Sequence, residues 1–559
     1  DDANSNVHRN HAYQLAVYVD TTYPSYNVDK IYIDSYVQET TPGGQRYPEV
    51  NNAINSSIEK GTLIINYTGH GGEVGWAHER ILENSDINEW VNSNKLSVFV
   101  TATCEFARYD DPGRTSAGEL VFLNPKGGGI SLFTTARATF GGSNLSLNRG
   151  FYKYAFEKKD GEHYAMGDLI RLAKLESTSS TNDKKFVLLG DPALKIAYPT
   201  YQVQTTSINQ ADEKTSSDTL QALSRITIEG MITDELGNKV SSFNGELHSI
   251  VFDKESEVTT LGQDETSSVS TFMLRNNTIY NGLTDVQDGE FSFSFIVPKD
   301  ISYNYGKGKI SYYAQSKDSD ASGFNLDIVI GGFNANSPED DKGPEILLYM
   351  NDTTFRDGDI THENPVLYAR VYDESGINTV GNSIGHDITA ILNANTEKPY
   401  KLNEFYESDL KGYQSGTVTY PFSNLEPGEH EVKFRIWDVH NNSSEATLKF
   451  VVIDREQISI QNAYNRPNPF VNETWFEYNH NQANETVDVE IQIFDLNGRL
   501  VTTLQQYNVS SGFYPSPIRW DGTAENGNML SGGIYIYRVQ LRDVNGSTTS
   551  TVKKLVIAR

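Results

Sequence analysis

The chain has 559 residues, with 46 Lys+Arg against 74 Asp+Glu and a formal net charge of −28 at pH 7. At ~100–200 residues per domain, that length predicts three to five domains. The scattered negative charge excludes nucleic acid as a natural partner and opposes adsorption to anionic lipid, and no run reaches the ~18 apolar residues of a membrane helix. A single cysteine, Cys104, rules out internal disulfides and cysteine-rich zinc sites, so its thiol is either packing or chemistry. The sequence opens at Asp1-Asp2-Ala3-Asn4 with no initiator Met and no leader pattern, and is expected to lack upstream sequence.

In residues 1–198, short apolar runs alternate with amphipathic stretches at 49–60, 86–93 and 147–159. That alternation predicts an α/β domain with buried, parallel strands. Leu63-Ile64-Ile65, Val98-Phe99-Val100, the run from Gly129 to Phe133 and the opening run Gln14-Leu15-Ala16-Val17-Tyr18-Val19 are predicted strands of one sheet, with a closing turn at Gly190-Asp191-Pro192. From about residue 200, helical periodicity gives way to period-2 strands such as Glu290-Phe291-Ser292-Phe293-Ser294-Phe295 between Gly, Asn and Asp turns. The polar stretch 334–344 reads as a linker, so β-sandwich domains are predicted at 199–340 and 341–455, the second Ig-like. A last β-sandwich at 456–559 includes Tyr464-Asn465-Arg466-Pro467-Asn468-Pro469-Phe470 and the alternating strand Val487-Asp488-Val489-Glu490-Ile491.

Two segments carry chemistry. His70 follows the run Ile64-Ile65-Asn66-Tyr67-Thr68, and Cys104 follows Val98-Phe99-Val100-Thr101-Ala102. In a parallel α/β sheet, functional residues gather at the carboxyl ends of strands, and thirty-four residues leave room for one crossover between neighbours. A free thiol is only a few per cent ionised at neutral pH, so an adjacent imidazole is needed to generate the nucleophile and to protonate a leaving amine. The flanking glycines let backbone amides approach a substrate, which makes the Gly71 and Cys104 N–H groups the candidates for an oxyanion hole. Each motif alone has an ordinary explanation, a packed thiol or a tight turn; the pair points to catalysis. His8, His11, His78 and His163 share the domain and are assigned no role. Glu105 and Trp76 are candidate cleft-lining residues, with a surface acid and a packed aromatic as the alternatives.

Residues 62–76, Thr-Leu-Ile-Ile-Asn-Tyr-Thr-Gly-His-Gly-Gly-Glu-Val-Gly-Trp, closely resemble the gingipain-type cysteine peptidases of the caspase-like clan, as do the cysteine segment and Leu188-Leu189-Gly190-Asp191-Pro192-Ala193-Leu194. The resemblance covers about residues 1–198 and implies a caspase-like α/β domain, its first portion missing, with His70 and Cys104 as the dyad. Thr103-Cys104-Glu105-Phe106-Ala107-Arg108-Tyr109-Asp110-Asp111-Pro112 looks more like the PorU-like sortases of the type IX secretion system, and Asn468-Pro469-Phe470 with Gly532-Gly533-Ile534-Tyr535 resembles C-terminal domains of that system. This implies a cell-surface enzyme on the outer membrane of a Gram-negative bacterium of the Bacteroidetes. It would cleave C-terminal secretion signals from cargo proteins and transfer the new carboxyl end to an anionic lipopolysaccharide, beside an outer-membrane β-barrel partner. A secreted endopeptidase that hydrolyses its acyl-enzyme and a non-catalytic surface scaffold are the alternatives. The chemistry requires no cofactor; Asp110 and Asp111 are candidate ligands for a structural calcium of the kind gingipain-like domains bind, against the reading of two solvated turn acids. Where Arg-directed relatives carry a pocket acid, a loose alignment puts Asn6, which argues against trypsin-like specificity; a His-orienting acid is expected upstream.

Overall fold

The structure, a computed structural model, describes residues 6–177, 180–210, 219–264, 266–381, 385–396, 399–410, 412–453, 458–482, 486–510 and 515–559. The opening Asp1-Asp2-Ala3-Asn4 lies outside the described residues.

The amino-terminal domain is built on a four-stranded sheet in the order Phe186–Leu189, Gly129–Thr135, Ser97–Ala102, Ile64–Thr68. The last three strands are parallel to one another. Alternation along the strand sends side chains to opposite layers. Val98 and Val100 pack with Phe133 against helices α1 (Val7–Thr22), α5 (Gly141–Ala155) and α6 (Met166–Glu176), while Phe99 and Leu132 face α2 (Pro48–Lys60), α3 (Asn84–Glu89) and α4 (Ala117–Leu123). Helix α2 shows why the sequence folds this way locally. Pro48 presets its first turn, Gly61 ends it with φ 96°, and Val50, Ile54 and Ile58, four residues apart, are its buried stripe.

Two expectations are corrected here. The run at 14–19 is not a strand but lies within α1, where Leu15 and Val19 are the buried pair one turn apart. A six-residue apolar run satisfies a strand and a buried helix face equally, so its period cannot separate them. The strand Phe186–Leu189 runs antiparallel to its neighbour, with Leu188 opposite Phe133, because the connection through α5, α6 and the short helix Ser180–Asp183 returns the chain to the end it left.

The remainder is β-structure around three further apolar cores. One joins Ile226, Ile228, Leu247, Phe293 and Tyr312; a second joins Leu367, Val418, Phe434 and Phe450; a third joins Phe476, Ile491, Trp520 and Tyr537. The first two regions are not separate sheets: an eleven-stranded sheet runs through both, crossing where Gly282 pairs with Ser408. In the carboxyl-terminal sandwich, a three-stranded and a four-stranded sheet share one core, and strand Thr486–Phe494 buries Val487, Val489, Ile491 and Ile493 in strict alternation.

A β-hairpin of the first β-region, Ser256–Thr259 with Thr271–Leu274, reaches back to the amino-terminal domain. The Asp34 carboxylate accepts the amides of Gly262 and Gln263 at 2.9 and 3.1 Å, and Arg9 on α1 donates to the Thr271 carbonyl at 2.8 Å.

Candidate active site

The parallel pairing of Ile64–Thr68 with Ser97–Ala102 sets Thr68 opposite Ala102. His70 and Cys104 each lie two residues beyond that pair, so adjacent strands deliver them to the same edge at the same height. Their flanking residues touch: a Cβ placed on Gly71 would lie 2.6 Å from Thr103 Oγ1 and 3.0 Å from the Gly75 carbonyl. No side chain fits between the two loops at this point, and glycine is required there for close approach.

The histidine loop is a small hairpin, Gly71–Gly72 against Gly75–Trp76. The His70 carbonyl accepts the Tyr67 hydroxyl at 2.6 Å and the Ala77 amide at 2.8 Å. Bonding between 70 and 77 makes Gly71 and Trp76 the non-hydrogen-bonded pair, so the Gly71 N–H points away from the hairpin. The His70 ring is flanked by His8, from α1, at 5.1 Å between centroids, and by His78 at 5.3 Å in a stacked arrangement.

Cys104 stands at a tight bend. Thr103, before it, has its carbonyl held by the hydroxyls of Thr135 at 2.7 Å and Thr139 at 3.0 Å. Glu105, after it, adopts φ 52°, a left-handed conformation that costs a non-glycine residue energy and here turns the chain away from the thiol. The Glu105 amide donates to the Arg137 carbonyl at 3.4 Å, whereas the Cys104 amide has no hydrogen-bond partner among the described residues. The half-buried sulfur receives the Thr139 N–H at 3.3 Å.

Glu73 ties the two loops together. Its carboxylate meets Arg108 at 2.9 Å and Arg114 at 3.3 Å, and its carbonyl accepts the Ala117 amide at 2.7 Å. With its side chain only 13% exposed, this is a more shielded contact than an ordinary surface pair.

The other sequence candidates fall elsewhere. Trp76 is 2% exposed and stacked on Tyr67 at 4.4 Å, packed in the core with Phe99 and Phe106, and it borders a cavity shared with Tyr67, Ile54 and Ile81. Glu105 is half-buried beside Arg108, at 3.7 Å. Asp110 is paired with Arg137 at 2.8 Å, and that guanidinium holds its carboxyl below the usual range. Asp111 caps a turn by accepting the Gly113 amide at 2.8 Å. A cation already meets the first of these acids and backbone meets the second. Asn6 pairs with Ser268 of the hairpin, donating to its carbonyl at 2.5 Å. His163 packs on Tyr198.

Sequence reading missed Glu73, Thr139 and the histidines beside His70. For Thr139 one signal existed: Asn144 and Asn148 sit on the buried stripe of α5 with Leu147 and Phe151, and a carboxamide on an apolar face must find a partner. Asn144 finds Thr139.

Residues 1–197 match peptidase family C25, and residues 472–544 match the FlgD Ig-like domain family. Among solved structures, dimeric latent PorU from Porphyromonas gingivalis is 31% identical over 78% of this chain and 41% of its own, with a TM-score of 0.30. The complex of RgpB pro- and mature domains from Porphyromonas gingivalis is 15% identical over 49% of this chain and 57% of its own, with a TM-score of 0.25. The Arg-specific cysteine proteinase gingipain R is 14% identical over 49% and 56%, with a TM-score of 0.25. The present chain thus spans less than two thirds of each of these relatives. No curated protein matches it.

Proposed function

The chain is of the gingipain type, its residues 1–197 forming a cysteine peptidase domain of family C25, and on that premise we propose that it is a sortase that cleaves cargo at a C-terminal secretion signal and transfers the new carboxyl end to an amine. The observation that carries the reading is the strand register, which brings the loops of His70 and Cys104 together with only Gly71 between them.

Cys104 is the nucleophile. Its thiolate attacks the scissile carbonyl carbon, and the oxyanion so formed is met by the Gly71 and Cys104 amides, the two whose N–H groups are not engaged by the loops around them. His70 takes the thiol proton and returns it to the departing amine as the C–N bond breaks, which leaves an acyl thioester on Cys104. An incoming amine then attacks the thioester, His70 accepts its proton, and the thiolate leaves. Water in place of the amine gives hydrolysis by the same steps. The sortase outcome is favoured by the likeness of segment 103–112 to PorU-like proteins and of the carboxyl-terminal sandwich to C-terminal domains of the type IX secretion system. The same likeness suggests an anionic lipopolysaccharide as acceptor, cargo proteins with C-terminal secretion domains as substrates, and a place at the outer-membrane surface beside a β-barrel partner.

The test is the intact mass of a model cargo bearing such a carboxyl-terminal domain, incubated with the chain and an amine acceptor. The proposal expects cargo shortened and increased by the acceptor's mass with wild type, and unchanged with Cys104→Ala. Shortening without the added mass, at saturating acceptor, makes the protein an endopeptidase; no change with either leaves a scaffold.

A further inference from the structure

Besides the imidazole loop, which abuts Thr103, a third segment meets Cys104 directly. The Thr139 N–H donates to Sγ at 3.3 Å, and the Thr139 carbonyl and hydroxyl lie 3.8 and 4.0 Å from the sulfur. A backbone amide aimed at sulfur favours the ionised form, because a thiolate accepts hydrogen bonds strongly and a neutral thiol accepts them weakly.

The amide is held in place from behind. Thr139 Oγ1 donates to the Thr103 carbonyl at 3.0 Å and accepts from Asn144 Nδ2 at 3.0 Å. Asn144 Oδ1 accepts from Asn182 Nδ2 at 2.9 Å, and Asn182 Oδ1 accepts the Phe140 amide at 3.1 Å. Every donor in this chain meets an acceptor in one consistent sense, which fixes the orientation of both carboxamides. Asn144 is 3% exposed and Asn182 is fully buried, so water does not compete for these bonds. This run of hydrogen bonds begins in the two helices that carry the asparagines, α5 and Ser180–Asp183, and ends on the residue before the nucleophile.

We infer that Thr139 is a positioning residue for the Cys104 sulfur, and that Asn144 and Asn182 hold it there; this rests on the reading of Cys104 as the nucleophile. The thiolate is then stabilised by two separate devices, His70 on one loop and the Thr139 amide on another. Disturbing the second leaves the imidazole in place and makes the thiol harder to ionise.

The test is the pH dependence of Cys104 alkylation by iodoacetamide in the full chain, which reads the thiol whether or not cargo is cleaved. Thr139→Val keeps side-chain volume but removes the hydroxyl anchor, Asn144→Ala removes the bond behind it, and Thr139→Ser retains the anchor. The alkylation midpoint is expected to rise by about one pH unit in Thr139→Val and Asn144→Ala, with wild-type behaviour in Thr139→Ser. Wild-type midpoints in either of the first two variants, with circular dichroism matching wild type, would overturn the assignment. An equal rise in Thr139→Ser would overturn it too, since the hydroxyl would then not be the anchor. Should one of the first two variants fail to fold, the other decides. His70→Ala is the separate control: if its alkylation profile matches wild type, the dyad reading fails, whatever the Thr139 variants show.

Discussion

A methyl group on residue 71 has nowhere to go. Between Thr103 Oγ1 at 2.6 Å and the Gly75 carbonyl at 3.0 Å, it must push the histidine and cysteine loops apart. Gly71→Ala is therefore expected to lower kcat on the order of 10²-fold, as displacements of about 1 Å do at reacting groups, while leaving the domain folded. Steady-state kinetics together with a thermal melt check this. Trp76 makes the opposite case: five residues farther along the same motif, it contributes packing against Tyr67 and Phe106. Trp76→Ala is expected to cost roughly 3–5 kcal/mol of stability through the cavity it leaves, measured by urea unfolding, without changing which peptide bond is cut. The motif 62–76 was legible in sequence as a unit. Which of its members face the Cys104 loop and which face the core depends on a hairpin whose register its glycine-rich sequence does not advertise.

Among the elements, α1 shows how a local pattern gives way to tertiary context. Its apolar run fits a strand, yet Leu15 and Val19 pack beneath the sheet as a helix face, and the first turn of that helix presents His8 to His70. The helix and the segment after it are held by the hairpin at 256–274, through Arg9 and Asp34. Asp34 is 8% exposed, and its loss would leave two shielded backbone amides without their acceptor. Asp34→Ala is expected to destabilise by about 1–3 kcal/mol and to speed limited proteolysis of the hairpin, with the fragments identified by mass spectrometry. Unchanged cleavage kinetics would show that the hairpin docks by other contacts. Sequence separations of more than 220 residues between these partners are beyond the reach of periodicity.

Across the whole molecule, the β-regions are expected to respond to pH with opposite signs. In the second, Asp340, Asp373 and Asp438 converge so that one oxygen of each lies within 4.8 Å of the others. Burial first, and then repulsion from Asp438 and Asp340, pushes the Asp373 carboxyl up to about 7. Its folded value exceeds the ordinary one, so the folded state holds this proton more tightly, and stability falls as pH rises from about 4 to about 7. In the carboxyl-terminal sandwich, burial lowers His480 to about 4, with its neutral Nδ1 accepting the Gln482 amide at 3.2 Å. There the unfolded state binds the proton first, so stability is lost as pH falls from about 6.5 to about 4, by roughly 3 kcal/mol in all. Calorimetry between pH 4 and 7 is expected to show one transition moving down with rising pH and another moving up. Asp373→Asn should weaken the first trend, to which the buried Asp438 carboxyl, also raised, contributes with the same sign, and His480→Phe should abolish the second.

The seam between the first two β-regions belongs to the same scale. Gly282 meets Ser408 so closely that a Cβ would lie 1.8 Å from the serine oxygen, and one continuous sheet results where the sequence pattern shows two domains and a polar linker. Composition and alternation were enough to read an α/β domain followed by β-sandwiches, because burial on one or both faces of an element imposes a period that survives in any single segment. That a histidine and a cysteine each follow an apolar strand was legible for the same reason: strand ends are a local feature. The partners of those two residues were not. Thr139 at the sulfur, Glu73 across the loops, His8 beside His70 and Ser408 against Gly282 are brought together by strand register, helix docking and the meeting of sheets, and those depend on how distant surfaces fit.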